Sequence, residues 1–93
     1  MVKYKKIYLE YFGYVEQDFI PCEVCGNMAV DVHHLDARGM GGSKTKDYIE
    51  NLCGLCRKCH TKCERDKAFN DRTKVIHKRI LMFKEIEKKR RYM

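Results

Sequence analysis

Six cysteines are the residues of this 93-residue sequence whose spacing most clearly indicates chemistry. They form three C-x-x-C pairs: Cys22/Cys25, Cys53/Cys56 and Cys56/Cys59. Tetrahedral zinc takes four ligands, and two such pairs on separate turns supply four thiolates. We therefore predict a structural zinc site formed by Cys22, Cys25, Cys56 and Cys59, with Gly26 permitting the tight turn after the first pair.

The second zinc pair is ambiguous by spacing alone, because Cys53/Cys56 and Cys56/Cys59 are both C-x-x-C. Cys53 lies in the apolar segment NLCGL, where a small buried side chain fits. We assign Cys56/Cys59 for this reason. Cys63 is then a free thiol one helical turn further along.

An iron–sulfur site is the competing interpretation of the cysteines. A ferredoxin-type C-x2-C-x2-C-x3-C spacing is present in Cys53, Cys56, Cys59 and Cys63. The proline that usually follows is replaced by Glu64, and Cys22 and Cys25 are left without partners. A colourless protein holding one zinc would exclude this alternative.

Three histidines accompany the cysteines. His33 and His34 are adjacent at the end of a predicted strand, and His60 directly follows Cys59. Taken singly, each histidine is more often structural. Together, two imidazoles could hold a divalent ion with positions left for phosphate oxygen and water, and a third could accept a proton near neutral pH. The set favours metal-dependent hydrolysis.

The pattern CEVC…VDVHHLDARGMGG…IENLCGLCRKCH, within residues 20–65, resembles the HNH endonuclease motif with its structural zinc. The resemblance implies an α+β fold, a small ββα-metal (His-Me finger, treble-clef-like) domain flanked by helices. It implies that His33 and His60 are the ligands of a catalytic ion. It also implies that His34 is the general base that activates water, and that Asn51 hydrogen-bonds the loop so that His34 is correctly oriented.

Two acidic residues could complete the site. Some family members have a further histidine four residues after the equivalent of His60, and Glu64 occupies that position here. A carboxylate binds Mg²⁺ or Mn²⁺ well, although an exposed helical glutamate is the alternative. Asp31 lies two residues before His33 on the same predicted strand face and could orient a histidine.

The function implied by the resemblance is a metal-dependent DNA endonuclease that hydrolyses phosphodiester bonds. Its cofactors would be structural Zn²⁺ and catalytic Mg²⁺, Mn²⁺ or Ni²⁺. Stand-alone members of the family occur in phages and bacteria, so phage packaging or capsid-associated proteins are further expected partners. The alternative is a non-catalytic zinc module that binds DNA or a protein.

Positive charge is concentrated in the C-terminal half of the chain. The formal net charge is +7, and residues 53–93 contain fourteen basic and five acidic side chains. This asymmetry is typical of proteins that bind a phosphate backbone, with a solvated helix face as the alternative. Contacts of this kind have weak sequence specificity and are sensitive to salt. The candidate DNA-binding residues are Arg38, Lys44, Lys46, Arg57, Lys58 and Lys62.

The composition argues against a membrane protein and against secretion. Charged residues make up 35% of the chain, and no segment approaches the roughly 20 apolar residues of a spanning helix. The N-terminal segment lacks the apolar region of a signal peptide. We expect a reducing, cytoplasmic location in a bacterial cell or phage-infected host, where clustered cysteines are typically metal ligands.

One domain over residues 1–93 is predicted, with a core so small that a metal would help to stabilise it. The apolar stripe of its C-terminal helix comprises Val75, Ile76, Ile80, Phe83 and Ile86. This helix is expected to pack on the domain or to pair with a second copy. The predicted elements are a helix over 3–12 ending at Gly13, a strand over 28–34, a strand or turn over 48–55, a helix from about Cys56 or Arg57, and a basic helix over 71–91.

Overall fold

Residues 2–37 and 46–90 are described by the computed structural model. This part of the chain is an α+β fold of three helices and a two-stranded antiparallel sheet. Arg38 and Lys44 lie outside the described residues. In chain order the elements are α1 (Lys3–Phe12), β1 (Asp31–His34), a 3₁₀ turn (Ile49–Asn51), β2 (Leu52–Leu55), α2 (Arg57–Arg65) and α3 (Lys67–Arg90).

The sheet brings the histidine pair and the second cysteine segment together. β1 and β2 pair so that His33 is opposite Cys53 and His34 is opposite Leu52. Every residue of β2 is buried, whereas in β1 only His33 falls in the buried class. The short strands therefore place the two histidines beside the protein interior.

Leucines and thiols form the core. Leu52 and Leu55 are fully buried, and the main cluster contains Leu35, Leu55 and four cysteines, Cys22, Cys53, Cys59 and Cys63. Such a core is small, because each thiol side chain removes little apolar surface from water. This agrees with a fold that needs stabilisation beyond its core.

Helix α1 has the predicted bounds and ends at Gly13. With φ 74°, Gly13 is in the left-handed conformation, which ends the helix. Its Tyr8 is buried, and Tyr11 donates a hydrogen bond to Glu85 of α3 at 2.7 Å. Lys88 lies 3.8 Å from the centre of the Tyr11 ring. These contacts fix α1 between the sheet and the C-terminal part of α3.

Helix α3 begins earlier than predicted, at Lys67 instead of residue 71. The reason is Asp66, whose Oδ1 accepts hydrogen bonds from the backbone N–H of Ala68 at 3.0 Å and of Phe69 at 3.3 Å. A side-chain acceptor of this kind satisfies N–H groups that a helix leaves unpaired at its start.

The predicted packing face of α3 is only partly right, because Ile76 and Ile80 are half-buried but the other three predicted residues are exposed. Phe83 is 68% exposed and Val75 is 52% exposed, whereas the buried residues of the helix are Thr73 and His77. The most deeply buried side chains of the helix are thus polar ones that have specific partners, Cys63 for Thr73 and Glu23 for His77. None of the helices in the described ranges is long and apolar enough to cross a membrane.

Candidate metal centre and histidine cluster

Four cysteines converge between the first knuckle and the start of α2. The sulfurs of Cys22, Cys25, Cys56 and Cys59 all lie within 4.8 Å of one another, and the Cys25 and Cys56 sulfurs are 3.6 Å apart. Tetrahedral zinc with Zn–S bonds of about 2.3 Å places its sulfurs about 3.8 Å apart. The cluster therefore fits a metal ion such as zinc, as the sequence predicted.

Local backbone structure positions these thiols. Gly26 has φ 81°, and its N–H donates to the carbonyl of Cys22 at 2.9 Å, closing the turn that carries Cys22 and Cys25. Cys56 is the N-cap of α2, and its sulfur accepts from the N–H of Cys59 at 3.4 Å. A tight turn and a helix start therefore present the two pairs toward each other.

The thiols differ in how readily they ionise. Burial opposes ionisation of Cys22, but backbone N–H groups of Cys56, Cys25 and Val24 outweigh it and lower the pKa of Cys22 to about 7. Burial, together with hydrogen bonds to the other cysteines, raises the pKa of Cys59. A metal ion bound by the cluster would displace the protons that the thiols still hold.

The alternative iron–sulfur set does not converge in the structure. Cys53 is fully buried in β2, beside Glu23 and His77, and Cys63 donates to the hydroxyl of Thr73 at 3.4 Å. Neither belongs to the four-cysteine cluster, and Cys53 is buried as its apolar surroundings indicated.

His33 and His60 lie side by side, with ring centroids 4.9 Å apart. His33 is buried, and its Nε2 is 2.8 Å from Oδ1 of Asn70 in α3. Burial lowers the pKa of His33, and the neighbouring His60 acts in the same direction. A neutral imidazole keeps a lone pair available for a cation.

Two carboxylates hold His60. Its Nδ1 is 3.0 Å from Oδ2 of Asp31, and its Nε2 is 3.3 Å from Oε1 of Glu64. The Asp31 side chain also accepts from Nε of Arg57 at 3.0 Å. Asp31 thus contacts a histidine, as its position on the strand suggested.

The three proposed ligands of a catalytic ion are less tightly gathered than the thiols. Among the described residues, His33, His60 and Glu64 do not form a set whose ligand atoms all lie within 4.8 Å of one another. Phosphate oxygens and water would have to supply part of the coordination of an ion held here.

His34 points to a different partner. Its Nε2 is 2.8 Å from Oδ1 of Asp47, a side chain that is only 4% exposed, and its ring packs edge-on against Tyr4 with a centroid distance of 4.8 Å. The sequence reasoning missed Asp47, because it lies outside every recognised spacing.

Asn51 joins the two ends of the segment between β1 and the 3₁₀ turn. Its Oδ1 accepts from the N–H of Asp36 at 2.6 Å, and its Nδ2 donates to the carbonyls of Asp36 and Lys46, each at 3.0 Å. Asn51 is 2% exposed. These contacts are of the loop-holding kind expected from the sequence.

Comparison with known proteins places the chain in a family. Residues 3–87 match the family described as "Protein of unknown function (DUF968)". The chain belongs to the DUF968 family. The DUF968 protein is also 43% identical over 53 residues to "Uncharacterized protein YdfU" of Escherichia coli (strain K12). That match covers 56% of the chain but only 15% of the relative. No solved structure matches the chain significantly.

The DUF968 protein contains a second cluster that sequence reasoning missed, formed by Glu23, Cys53 and His77. Glu23 Oε2 accepts from the hydroxyl of Tyr8 at 2.7 Å, and His77 Nε2 faces the carbonyl of Ile49 at 2.7 Å. The Nδ1 of His77 is 2.6 Å from Glu23 Oε1. Since these polar atoms already have partners, the cluster is a buried hydrogen-bond network and not an open ligand set.

The candidate DNA-binding residues that are described lie on more than one face of the DUF968 protein. At about 100° per residue, Lys58 and Lys62 are each about 160° around α2 from His60. Arg57 lies nearer His60 and pairs with Asp31, which also contacts His60, and Lys46 directly precedes Asp47, the partner of His34. Two of these cations are therefore adjacent to partners of the histidines, whereas Lys58 and Lys62 lie on another face of α2.

A groove of about 670 Å³ lies between α1, the 3₁₀ turn and α3. It is lined by Asn51 and Asp36, and by Lys74, Lys78 and Lys89 of α3, but by none of the three site histidines. The groove is thus adjacent to the site without containing it.

Proposed function

We propose that this protein is a metal-dependent DNA endonuclease of the HNH, ββα-metal type. The observation that supports it best is the contact of His33 in β1 with His60 in α2, with His34 next to His33 in the strand and the zinc-cluster residue Cys59 next to His60 in the helix. In this proposal the thiols hold structural Zn²⁺ and stabilise the small core that presents the histidines.

His33 and His60, with Glu64 as a third candidate, would hold Mg²⁺, Mn²⁺ or Ni²⁺. Such an ion supplies positive charge against the scissile phosphate and the leaving oxygen. The residues themselves suit this role, because Asn70 holds His33 at one ring nitrogen, and Asp31 contacts Nδ1 of His60 on the side away from Glu64.

His34 is the proposed general base. Its Nε2–H donates to the Asp47 carboxylate, so that the lone pair at Nδ1 is left to accept a proton from the attacking water. Asp47 would also stabilise the imidazolium that forms, and Asn51 would hold the backbone around both residues.

DNA is the proposed substrate, held mainly through its backbone by the basic C-terminal half. Arg57, Lys58 and Lys62 of α2 and Lys46 are the described candidates, and a cytoplasmic location is part of the same proposal. Phage packaging or capsid-associated proteins are proposed as further partners.

A non-catalytic zinc module is the second candidate. It is favoured because, among the described residues, the ligand atoms of His33, His60 and Glu64 do not all lie within 4.8 Å of one another, and because Lys58 and Lys62 lie far around α2 from His60. The His34–Asp47 pair argues against it, because a binding module needs no oriented base.

The test is cleavage of supercoiled plasmid by zinc-loaded protein with Mg²⁺, Mn²⁺ or Ni²⁺. Wild type should nick or linearise the plasmid, His34→Ala should fold with its zinc but lose cleavage, and the exposed-site control Gln17→Ala should match wild type. Intact plasmid with every ion, from a wild-type protein that keeps one zinc and binds DNA, would establish the zinc module instead.

A further inference from the structure

Asn70 of α3 connects the proposed metal ligand His33 to the backbone that follows β1. Its Oδ1 lies 2.8 Å from Nε2 of His33, and its Nδ2 donates to the carbonyl of Leu35 at 2.9 Å. Asn70 lies outside residues 20–65, where the cysteine and histidine motif is found. It reaches the site only because α3 folds back across the end of β1.

The Leu35 carbonyl settles which way the Asn70 amide faces. A carbonyl oxygen can only accept a hydrogen bond, so it must face the NH₂ end of the amide. The oxygen end therefore faces His33, and Nε2 of His33 must carry the proton. The lone pair of a neutral His33 is then left at Nδ1.

His60 is held at both ring nitrogens. The Asp31 carboxylate lies 3.0 Å from its Nδ1, and the Glu64 carboxylate lies 3.3 Å from its Nε2. The Asn70 contact at Nε2 therefore fixes the tautomer of His33, whereas His60 faces a carboxylate at each nitrogen.

We propose that Asn70 is a positioning residue that fixes His33 as the Nε2–H tautomer, so that His33 offers Nδ1 to a divalent cation. The assignment deepens the proposed function and rests on it for the identity of the site. Asn70 does not contact the ion. Loss of a side chain that holds a metal-binding histidine typically weakens metal affinity about 10–100-fold.

Nitrogen-15 NMR of the zinc-loaded protein tests the assignment, with a second equivalent of Zn²⁺ as a diamagnetic probe. Before the addition, His33 should show a protonated Nε2 whose hydrogen exchanges slowly with water. The second equivalent should shift the Nδ1 resonance and leave Nε2–H in place. The proposal is overturned if the second equivalent shifts the Nε2 resonance of His33. It is also overturned if Nδ1 of His33 is protonated before that addition.

Calorimetry of the second Zn²⁺ provides the matched comparison. Asn70→Ala should bind it about 10–100-fold more weakly than wild type. The control Asp71→Ala, on the next and exposed position of α3, should bind like wild type. Equal affinity of Asn70→Ala and wild type, or no binding to wild type, overturns the proposal.

Failure of the proposed function gives a different pattern. If the second ion binds at Nδ1 and depends on Asn70, yet no plasmid is cut, then Asn70 is established and the nuclease is excluded. A second pattern is that wild type cuts plasmid and His34→Ala does not, but the ion binds through Nε2 of His33. Only the role assigned to Asn70 is then contradicted.

Discussion

The imidazole of His77 lies 2.6 Å from the carboxylate of Glu23, across 54 residues of sequence. The two side chains are 1% and 4% exposed. Glu23 stands between Cys22 and Cys25, so this contact attaches α3 directly to the cysteine knuckle. The same carboxylate accepts from Tyr8 of α1 and from the backbone of Gly54, which makes it a junction of four parts of the fold.

Replacing His77 by leucine should destabilise the protein strongly. Glu23 would stay buried and keep its hydrogen bonds at Oε2 but lose its cationic partner at Oε1, and breaking a buried pair in this way costs about 3–5 kcal/mol. Chemical denaturation of the zinc-loaded protein measures the loss. Lys67→Ala, which removes an exposed pair with Asp71, should change the free energy of unfolding by less than about 1 kcal/mol. Equal stability of the two variants would contradict the role of the junction.

The contribution of His77 should decline with rising pH. Burial acts to lower the pKa of His77, but the hydrogen bond to Glu23 and the charge of Glu23 outweigh it and raise the pKa. The folded state thus holds a proton that the unfolded state releases near pH 6.5. The stabilisation is complete below about pH 6.5 and is lost as pH rises through the folded pKa.

The measurement is the difference in unfolding free energy between wild type and His77→Leu, taken from about pH 6.5 upward. This difference should shrink with pH, whereas the difference for Lys67→Ala should stay flat. If the difference in unfolding free energy between wild type and His77→Leu grew with pH, His77 would be uncharged in its buried position.

Gly54→Ala should displace Tyr8 from the junction. An added Cβ would lie 2.7 Å from the Tyr8 hydroxyl oxygen and 2.9 Å from the adjacent ring carbon, and both atoms belong to a rigid, buried ring. Overpacking of this kind costs about 1–3 kcal/mol. In a Tyr8→Ala background the same substitution should cost much less. A double-mutant cycle by thermal melting checks this, and additive effects would show that no clash exists.

The sequence predicted the local elements better than the contacts between them. The bounds of α1, the start of α2 and the set of four converging cysteines are confirmed, because helical periodicity, a helix-ending glycine and C-x-x-C spacing are short-range signals. The predicted strand over 28–34 was too long, since regular pairing covers only Asp31–His34.

The packing of α3 could not be predicted from the sequence. Its apolar positions indicated only part of the buried face, because Thr73 meets Cys63 of the preceding helix and His77 meets Glu23, 54 residues away in sequence. Asp47 and Asn70 were missed for the same reason. Each meets a histidine through the tertiary fold, and neither belongs to a recognisable local motif.

Removal of one cysteine of the four-cysteine cluster should prevent folding. In Cys59→Ser the remaining three thiols would bind zinc weakly, and in so small a chain metal binding is a large part of the folding free energy. Cys63→Ser is the matched control, since it lies one turn along α2 and a hydroxyl can still reach Thr73. Zinc content and far-ultraviolet circular dichroism report the result. A Cys59→Ser protein that melts cooperatively without zinc would show that the fold does not require a structural metal.

Asn51→Asp should be at least as harmful as Asn51→Ala, although aspartate has almost the same shape. The asparagine donates to two carbonyls, of Asp36 and Lys46, while accepting from the N–H of Asp36. A carboxylate keeps the acceptor but sets negative charge against both carbonyl oxygens, and each buried group left unpaired costs about 1–3 kcal/mol. Denaturation at neutral pH compares the variants, and hydrogen exchange at the Asp36 amide should quicken in Asn51→Ala. If Asn51→Asp proves as stable as wild type, the two donated bonds do not hold this segment, and the proposed support of His34 by Asn51 fails with them.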